Sequence, residues 1–174
     1  MNRRIIIAGS GGQGVMLIGR MLAKTAMNVW NHITFFPAYG AEVRGGTSNC
    51  QIVLSSEEIS SPLSEMFNCA IIMNQQSLER FLPKLTDNCK AIINGSLCEP
   101  NPDTRLNYIE ATHVALRLGD KRAANFVLLG ALLASEKLVD PAGIESEMQN
   151  TFTGNKKKAA DLNIIAFREG MKLA

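Results

Sequence analysis

Gly9, Ser10, Gly11, Gly12, Gln13 and Gly14 stand between an apolar run and a stretch of helical periodicity. A second glycine-rich segment, Tyr39, Gly40, Ala41, Glu42, Val43, Arg44, Gly45 and Gly46, follows in the same chain. The chemistry such segments offer is that of bare backbone. N–H groups at a helix N-terminus, unscreened by side chains, receive an anion or the close approach of another polypeptide. The second segment adds two charges, because Glu42 and Arg44 between glycines are displayed rather than buried. We expect both segments to share one functional edge. Three readings stand at this point: tight turns that let helix and strand pack closely, a nest of amides for a phosphate, and a docking surface for a partner chain. For Glu42 and Arg44 the plain alternative is a solvated loop with a local ion pair.

Gly9, Gly11 and Gly14 also satisfy the G-x-G-x-x-G spacing of dinucleotide-binding turns. That fingerprint expects an acidic residue about 20 positions on, at the end of the second strand, to hold the ribose hydroxyls. No Asp or Glu occurs between Gly14 and Glu42, and the second predicted strand ends in Phe35, Phe36 and Pro37. A nicotinamide site is therefore disfavoured. Acid–base and nucleophilic catalysis have as little support: His32 lies within an apolar strand and His113 near the start of a helical stretch, with no set of nucleophile, base and orienting group. We assign no catalytic residue. Cys50, Cys69, Cys89 and Cys98 include no Cys-x-x-Cys pair to grip zinc or an iron–sulfur cluster, so no metal site is expected.

With 174 residues, 46% of them hydrophobic, the chain is long enough for one domain, residues 1–174, with a real core. A net charge of +2 from a balanced mixture leaves no electrostatic footprint for nucleic acid. The basic run Lys156, Lys157 and Lys158 is read as a solvated helix face, with a phosphate or an acidic partner as the alternative. The longest apolar run, 123–134, is interrupted by Asn125 and falls short of the roughly twenty residues that span a bilayer. The start of the chain lacks the cleavage pattern of a signal peptide. No membrane association and a reduced, cytoplasmic location are expected.

The elements that must position these segments follow from periodicity. Residues 5–8 are a continuous apolar run, as in a parallel strand buried on both faces. Over 15–30, Arg20, Lys24 and Asn28 recur every fourth position, while Ile18, Leu22, Ala26 and Val29 line another side of a helix. Strands are predicted at 32–36, 49–54, 69–73 and 91–93. Between the last two, a helix carries Leu78, Phe81, Leu82 and Leu85, bent or ended by Pro83. Residues 122–136 are apolar almost all round, which implies a helix buried in the domain or against another subunit; we expect 123–134 to promote association. Asp140 and Pro141 open a helix bearing Ile144, Met148 and Phe152, and a last helix places Ala159, Leu162 and Ala166 in register. The fold class is α/β: a single domain with a mostly parallel sheet flanked by helices, Rossmann-like in its layers.

Taken in order, the residues from Gly9 to Val15, those from Tyr39 to Gly46, then Ile59, Ser60, Ser61 and Pro62, resemble the gamma subunit of 2-oxoacid:ferredoxin oxidoreductases. So do the residues from Arg122 to Gly130 and, near the end, Asn155, Lys156, Asn163, Ala166, Phe167 and Gly170. The resemblance covers essentially the whole chain. It implies a complex of alpha, beta and ferredoxin-like delta subunits that converts 2-oxoglutarate, pyruvate or a branched-chain 2-oxoacid to acyl-CoA and CO2, with ferredoxin as electron acceptor. It further implies that thiamine diphosphate, Mg²⁺ and the iron–sulfur clusters are held by the partner subunits. The chain is consistent with this, having no Gly-Asp-Gly followed by an Asn-bearing segment of the kind that holds Mg²⁺ in thiamine enzymes. Within the resemblance, Gly9, Gly11, Gly12, Gln13, Gly14, Tyr39, Gly40, Glu42, Arg44, Gly45 and Gly46 either receive coenzyme A or dock partner subunits. Rival readings are a free-standing nucleotide-binding oxidoreductase and a purely structural adaptor subunit.

Overall fold

Ile5, Ile6, Ile7 and Ala8 are 0% exposed, because the strand they form lies inside a sheet covered on both faces. The computed structural model describes residues 2–38 and 47–174. Six strands, β1 (Asn2–Ser10), β2 (His32–Ala38), β3 (Thr47–Ser55), β4 (Phe67–Ile72), β5 (Leu85–Asn94) and β6 (Leu106–Ile109), pair in the order β2-β3-β1-β4-β5-β6. β1, β4, β5 and β6 are parallel neighbours, whereas β3 runs antiparallel to both β1 and β2. Five strands therefore share one direction, and only β3 opposes them. Its insertion separates β2 from β1 by two strand spacings, roughly 10 Å.

The two faces are covered unequally. On one, α2 (Gln75–Phe81) places Leu78 and Phe81 over Ile6, Ala8, Ala70 and Ile72. Asn74 caps this helix, its Oδ1 accepting from Ser77 N–H at 2.9 Å. On the other face lie α1 (Val15–Ala26), α3 (Ala111–Arg117), α4 (Ala124–Ser135), α5 (Pro141–Thr151) and α6 (Lys157–Lys172). α4 is apolar all round because it packs on β4 and β5 with one side and on α3 and α6 with others. Gly130 and Gly170 make the α4–α6 contact possible: a Cβ on Gly130 would strike the Phe167 carbonyl, and one on Gly170 the Val127 carbonyl.

Several expectations need correction. α1 ends at Ala26 rather than reaching Trp30, so Val29 is exposed instead of continuing the apolar stripe. Leu85 begins β5, not the end of a helix, and 3₁₀ geometry at Leu82–Lys84 separates it from α2. His32 is exposed at the first residue of β2. The segment 123–134 offers no association surface, since Val127, Leu128, Leu129, Ala131 and Leu132 are 0% exposed inside the domain. β6 was not expected from periodicity, whereas α3 is the helical stretch expected at His113. Asp140 caps α5 as expected, accepting from Ala142 N–H at 3.0 Å with Pro141 at the first helical position.

Candidate functional site

Because β1, β4, β5 and β6 are parallel, the segments after them emerge at one edge: Gly11 to Gly14 after β1, Met73 and Asn74 after β4, Gly95 to Leu97 after β5, and Glu110 after β6. After β1 the chain crosses to the β2–β3 side, with α1 packed on those strands, whereas after β4 it re-enters the sheet on the opposite side, as β5. The crevice between them is where ligands bind in open α/β sheets.

The turn after β1 is braced by Gln13. Its Oε1 accepts from Ser10 N–H at 2.6 Å, its Nε2 donates to the Met73 carbonyl at 3.4 Å, and its own N–H donates to the Ser10 carbonyl at 3.2 Å. Met73 N–H in turn donates to the Ala8 carbonyl at 2.9 Å. Gly9 leaves room for this brace, since a Cβ there would lie 2.6 Å from Gln13 Oε1 and 2.9 Å from Met73 Cβ. Gly12 and Gly14 adopt φ values of 88° and 78°, the left-handed region that a side chain disfavours. Gly14 is also the N-cap of α1, so no side chain caps the helix and its first turn carries no acidic residue. A Cβ on Gly14 would run into the side-chain amide of Asn125. Gly11 meets nothing and faces open space.

Two adjoining pockets open on this turn, sharing Gly12, Gln13, Arg122 and Asn125. One of about 310 Å³ extends toward Asn94, Leu97 and Thr112; the other, about 500 Å³, extends toward Phe152, Lys156 and Asn163. The polar walls are themselves held. Asn94 Nδ2 donates to Thr112 Oγ1 at 2.9 Å, and Thr112 N–H returns a bond to Asn94 Oδ1 at 3.3 Å. Arg122 grips Asp120 through Nε and Nη2, with the shortest contact at 2.6 Å, and this guanidinium holds the Asp120 carboxyl below the usual carboxylate range. Lys121 lines the first pocket and Lys156 the second, with no carboxylate partner among the described residues. Asn125 is 3% exposed and lines both pockets, yet its Oδ1 has no hydrogen-bond partner.

The structure thus gathers Gly9, Gly11, Gly12, Gln13 and Gly14 and gives them different tasks. Tyr39, Gly40, Glu42, Arg44, Gly45 and Gly46 lie outside the described residues. The strand ends flanking them are placed: Ser10 pairs with Thr47, and Ala38 pairs with Asn49, at the same edge as the glycine turn. Residues that the sequence reading missed here are Asn94, Thr112, Lys121 and Asn125; only Asn125 left a trace, as the polar break in an apolar run. The Lys156, Lys157 and Lys158 run is exposed at the start of α6. His113 is also exposed, paired through Nδ1 with Glu110 at 2.8 Å. Among the described residues no group of His, Cys, Asp or Glu comes together as a metal site, and no helix is long and apolar enough to cross a membrane. The end of β2 bears no acid for a ribose, and β3 lies between it and the turn.

Ketoisovalerate oxidoreductase subunit VorA of Methanothermobacter thermautotrophicus is 34% identical over 98% of this chain and 36% of its own length. 2-Oxoglutarate synthase subunit KorC of Methanothermobacter marburgensis is 30% identical over 99% of this chain and 97% of its own length. The chain therefore spans about a third of VorA and nearly all of KorC. Among solved structures, the 2-oxoglutarate:ferredoxin oxidoreductase of Magnetococcus marinus, with 2-oxoglutarate, coenzyme A and succinyl-CoA bound, superposes with a TM-score of 0.89 at 22% identity, over 99% of this chain and 31% of that one. The gamma subunit of a keto/oxoacid ferredoxin oxidoreductase from Geobacter sulfurreducens gives 0.82 at 22% identity, over 99% and 98%. These two likenesses establish a shared fold. The family model described as pyruvate ferredoxin/flavodoxin oxidoreductase matches residues 4–173, and the chain belongs to that family.

Proposed function

We propose that this chain, acting as one domain over residues 1–174, is the gamma subunit of a multisubunit 2-oxoacid:ferredoxin oxidoreductase, and that the crevice at Gly11, Gly12 and Gly14 receives coenzyme A. The observation that carries this reading is the uncapped α1 N-terminus behind two left-handed glycines, flanked by Lys121, Arg122 and Lys156. Exposed amides at the positive end of a helix dipole, with cations around them, suit the phosphates of coenzyme A. Coenzyme A in the Magnetococcus relative supports the choice of ligand. We extend the same alternatives to Tyr39, Gly40, Glu42, Arg44, Gly45 and Gly46, as residues that serve coenzyme A or subunit docking.

In this reading the chain binds and orients while the redox chemistry proceeds elsewhere. Alpha, beta and ferredoxin-like delta subunits hold thiamine diphosphate, Mg²⁺ and the iron–sulfur clusters, ferredoxin takes the electrons, and the complex works in the cytoplasm. The 2-oxoacid is 2-oxoglutarate, pyruvate or a branched-chain acid, read by side chains of those partners. The test is coenzyme A-dependent reduction of a viologen dye. The chain alone gives no turnover and co-expression with its partners restores it. In the assembled complex Gly12→Val raises the KM for coenzyme A while the KM for the 2-oxoacid stays constant. Turnover by the chain alone, or equal effects on both KM values, contradicts the proposal.

A further inference from the structure

The last rung of the β1–β3 ladder, Ser10 opposite Thr47, has no backbone hydrogen bond of its own. The Ala8 carbonyl accepts from Met73 N–H and so points toward β4, and Ser10, two residues on, turns its backbone groups the same way. Gln13 takes up both of those groups. In such a non-hydrogen-bonded pair the side chains lie close together. Ser10 alternates with Ile6 and Ala8, which lie under α2, so both hydroxyls of the rung are on that face of the sheet. Each is held from α2. Asn74, the N-cap, donates from Nδ2 to Ser10 Oγ at 2.5 Å. Arg80, in the last turn, donates from Nη1 to Thr47 Oγ1 at 2.5 Å. The Arg80 guanidinium stands 5.5 Å from the centre of the Phe81 ring and is in no ion pair among the described residues.

We infer that α2 clamps the two strand ends from which the glycine-rich segments leave the sheet, with Asn74 and Arg80 as positioning residues. Gly11 follows Ser10 directly, and Gly46 directly precedes Thr47. A rung without ladder bonds at the end of a sheet opens at low cost. Opening it moves Ser10, whose N–H and carbonyl anchor Gln13 and with it the turn. Asn74 and Arg80 act through the hydroxyls of Ser10 and Thr47 and touch no ligand. For its bearing on binding, the inference rests on the coenzyme A reading above; the clamp itself does not.

The experiment is amide hydrogen exchange on the full chain without ligand, with coenzyme A affinity measured by calorimetry alongside it. Thr47→Val and Arg80→Met remove one bond of the clamp from its two ends. Ser10→Ala removes the other and leaves Asn74 Oδ1 to cap α2. In each variant the Ser10 and Gln13 amides should exchange about five-fold faster, as for the loss of one net hydrogen bond, and coenzyme A should weaken to a similar extent. Val127 and Leu128 in α4 should exchange as before. The double variant Thr47→Val, Arg80→Met should go no further than either single one, since both remove the same bond. Faster exchange spread evenly over the molecule marks a merely structural role and overturns the inference, as does unchanged exchange at Ser10 and Gln13 in any of the three variants. An additive double variant shows Arg80 acting other than through Thr47 and also overturns it. If the turn opens and coenzyme A binds as before, the clamp positions nothing and the inference falls. A wild-type chain that does not bind coenzyme A sinks the coenzyme A reading, and the exchange rates then decide the clamp by themselves.

Discussion

Two sets of glycines occupy opposite situations in this molecule. Gly130 and Gly170 sit between α4 and α6, where the missing Cβ is replaced by a carbonyl of the facing helix and the space is filled. Gly11 and Gly12 sit at the sheet edge, where the missing Cβ is replaced by nothing within 4 Å. The first set is used up by packing. The second, with the helix end at Gly14 behind it, is left available, and Asn125 lines both pockets beside it. What distinguishes a structural glycine from a ligand-receiving one is therefore the contents of the space it opens.

The largest effect should come from breaking the filled set. Gly170→Ala puts a methyl group into the Val127 carbonyl and should destabilise the chain by about 3 kcal/mol in urea melts, the upper range for overpacking. A loss under about 1 kcal/mol would erase the contrast. The same packed side of the sheet should also show in the pH dependence. Burial pushes the Cys50 and Cys69 thiols up to about 12, with Glu136 adding to the effect at Cys69. Their folded pKa lies above the ordinary value of 9.0, so the stability they confer is full below pH 9. It falls as pH rises from there toward 12, by about 1 kcal/mol per pH unit for each thiol. Cys50→Ser and Cys69→Ser variants should lessen that decline; an identical alkaline slope would contradict it.

Effects at the open set should be smaller in stability and larger in binding. Gly12→Ala should cost about 1 kcal/mol through its left-handed backbone alone, with no packing penalty, and weaken coenzyme A. Gly11→Ala, with neither a positive φ nor a neighbour, should leave urea stability within about 0.5 kcal/mol and still reduce coenzyme A affinity by crowding the approach. If Gly11→Ala binds normally, the open space there is not part of the ligand's path.

Much of the layered fold was legible because its signals are local. The Ile5, Ile6 and Ile7 run reads as a doubly covered strand, and Asp140 with Pro141 reads as a helix start, from a handful of adjacent residues. β6 was not legible: four residues at a sheet edge, with only Ile109 buried, carry too little periodicity. The antiparallel direction of β3 was equally hidden, since pairing direction is set by tertiary closure and not by composition. At the site, the glycine turn announced itself through residue type, yet its division into brace, left-handed turn and helix cap did not. Asn125 lies more than a hundred positions from Gly14 in sequence. Its place depends on α4 packing against the start of α1, which no local pattern encodes.

The most direct measurement is amide chemical-shift perturbation on titrating the isotope-labelled chain with coenzyme A. The account predicts shifts at Gly12, Gly14, Val15 and Met16 and at the side-chain amide of Asn125, with Gly130 and Gly170 unmoved. Shifts centred on another surface, or a saturating titration that leaves the turn and Asn125 where they were, would contradict it.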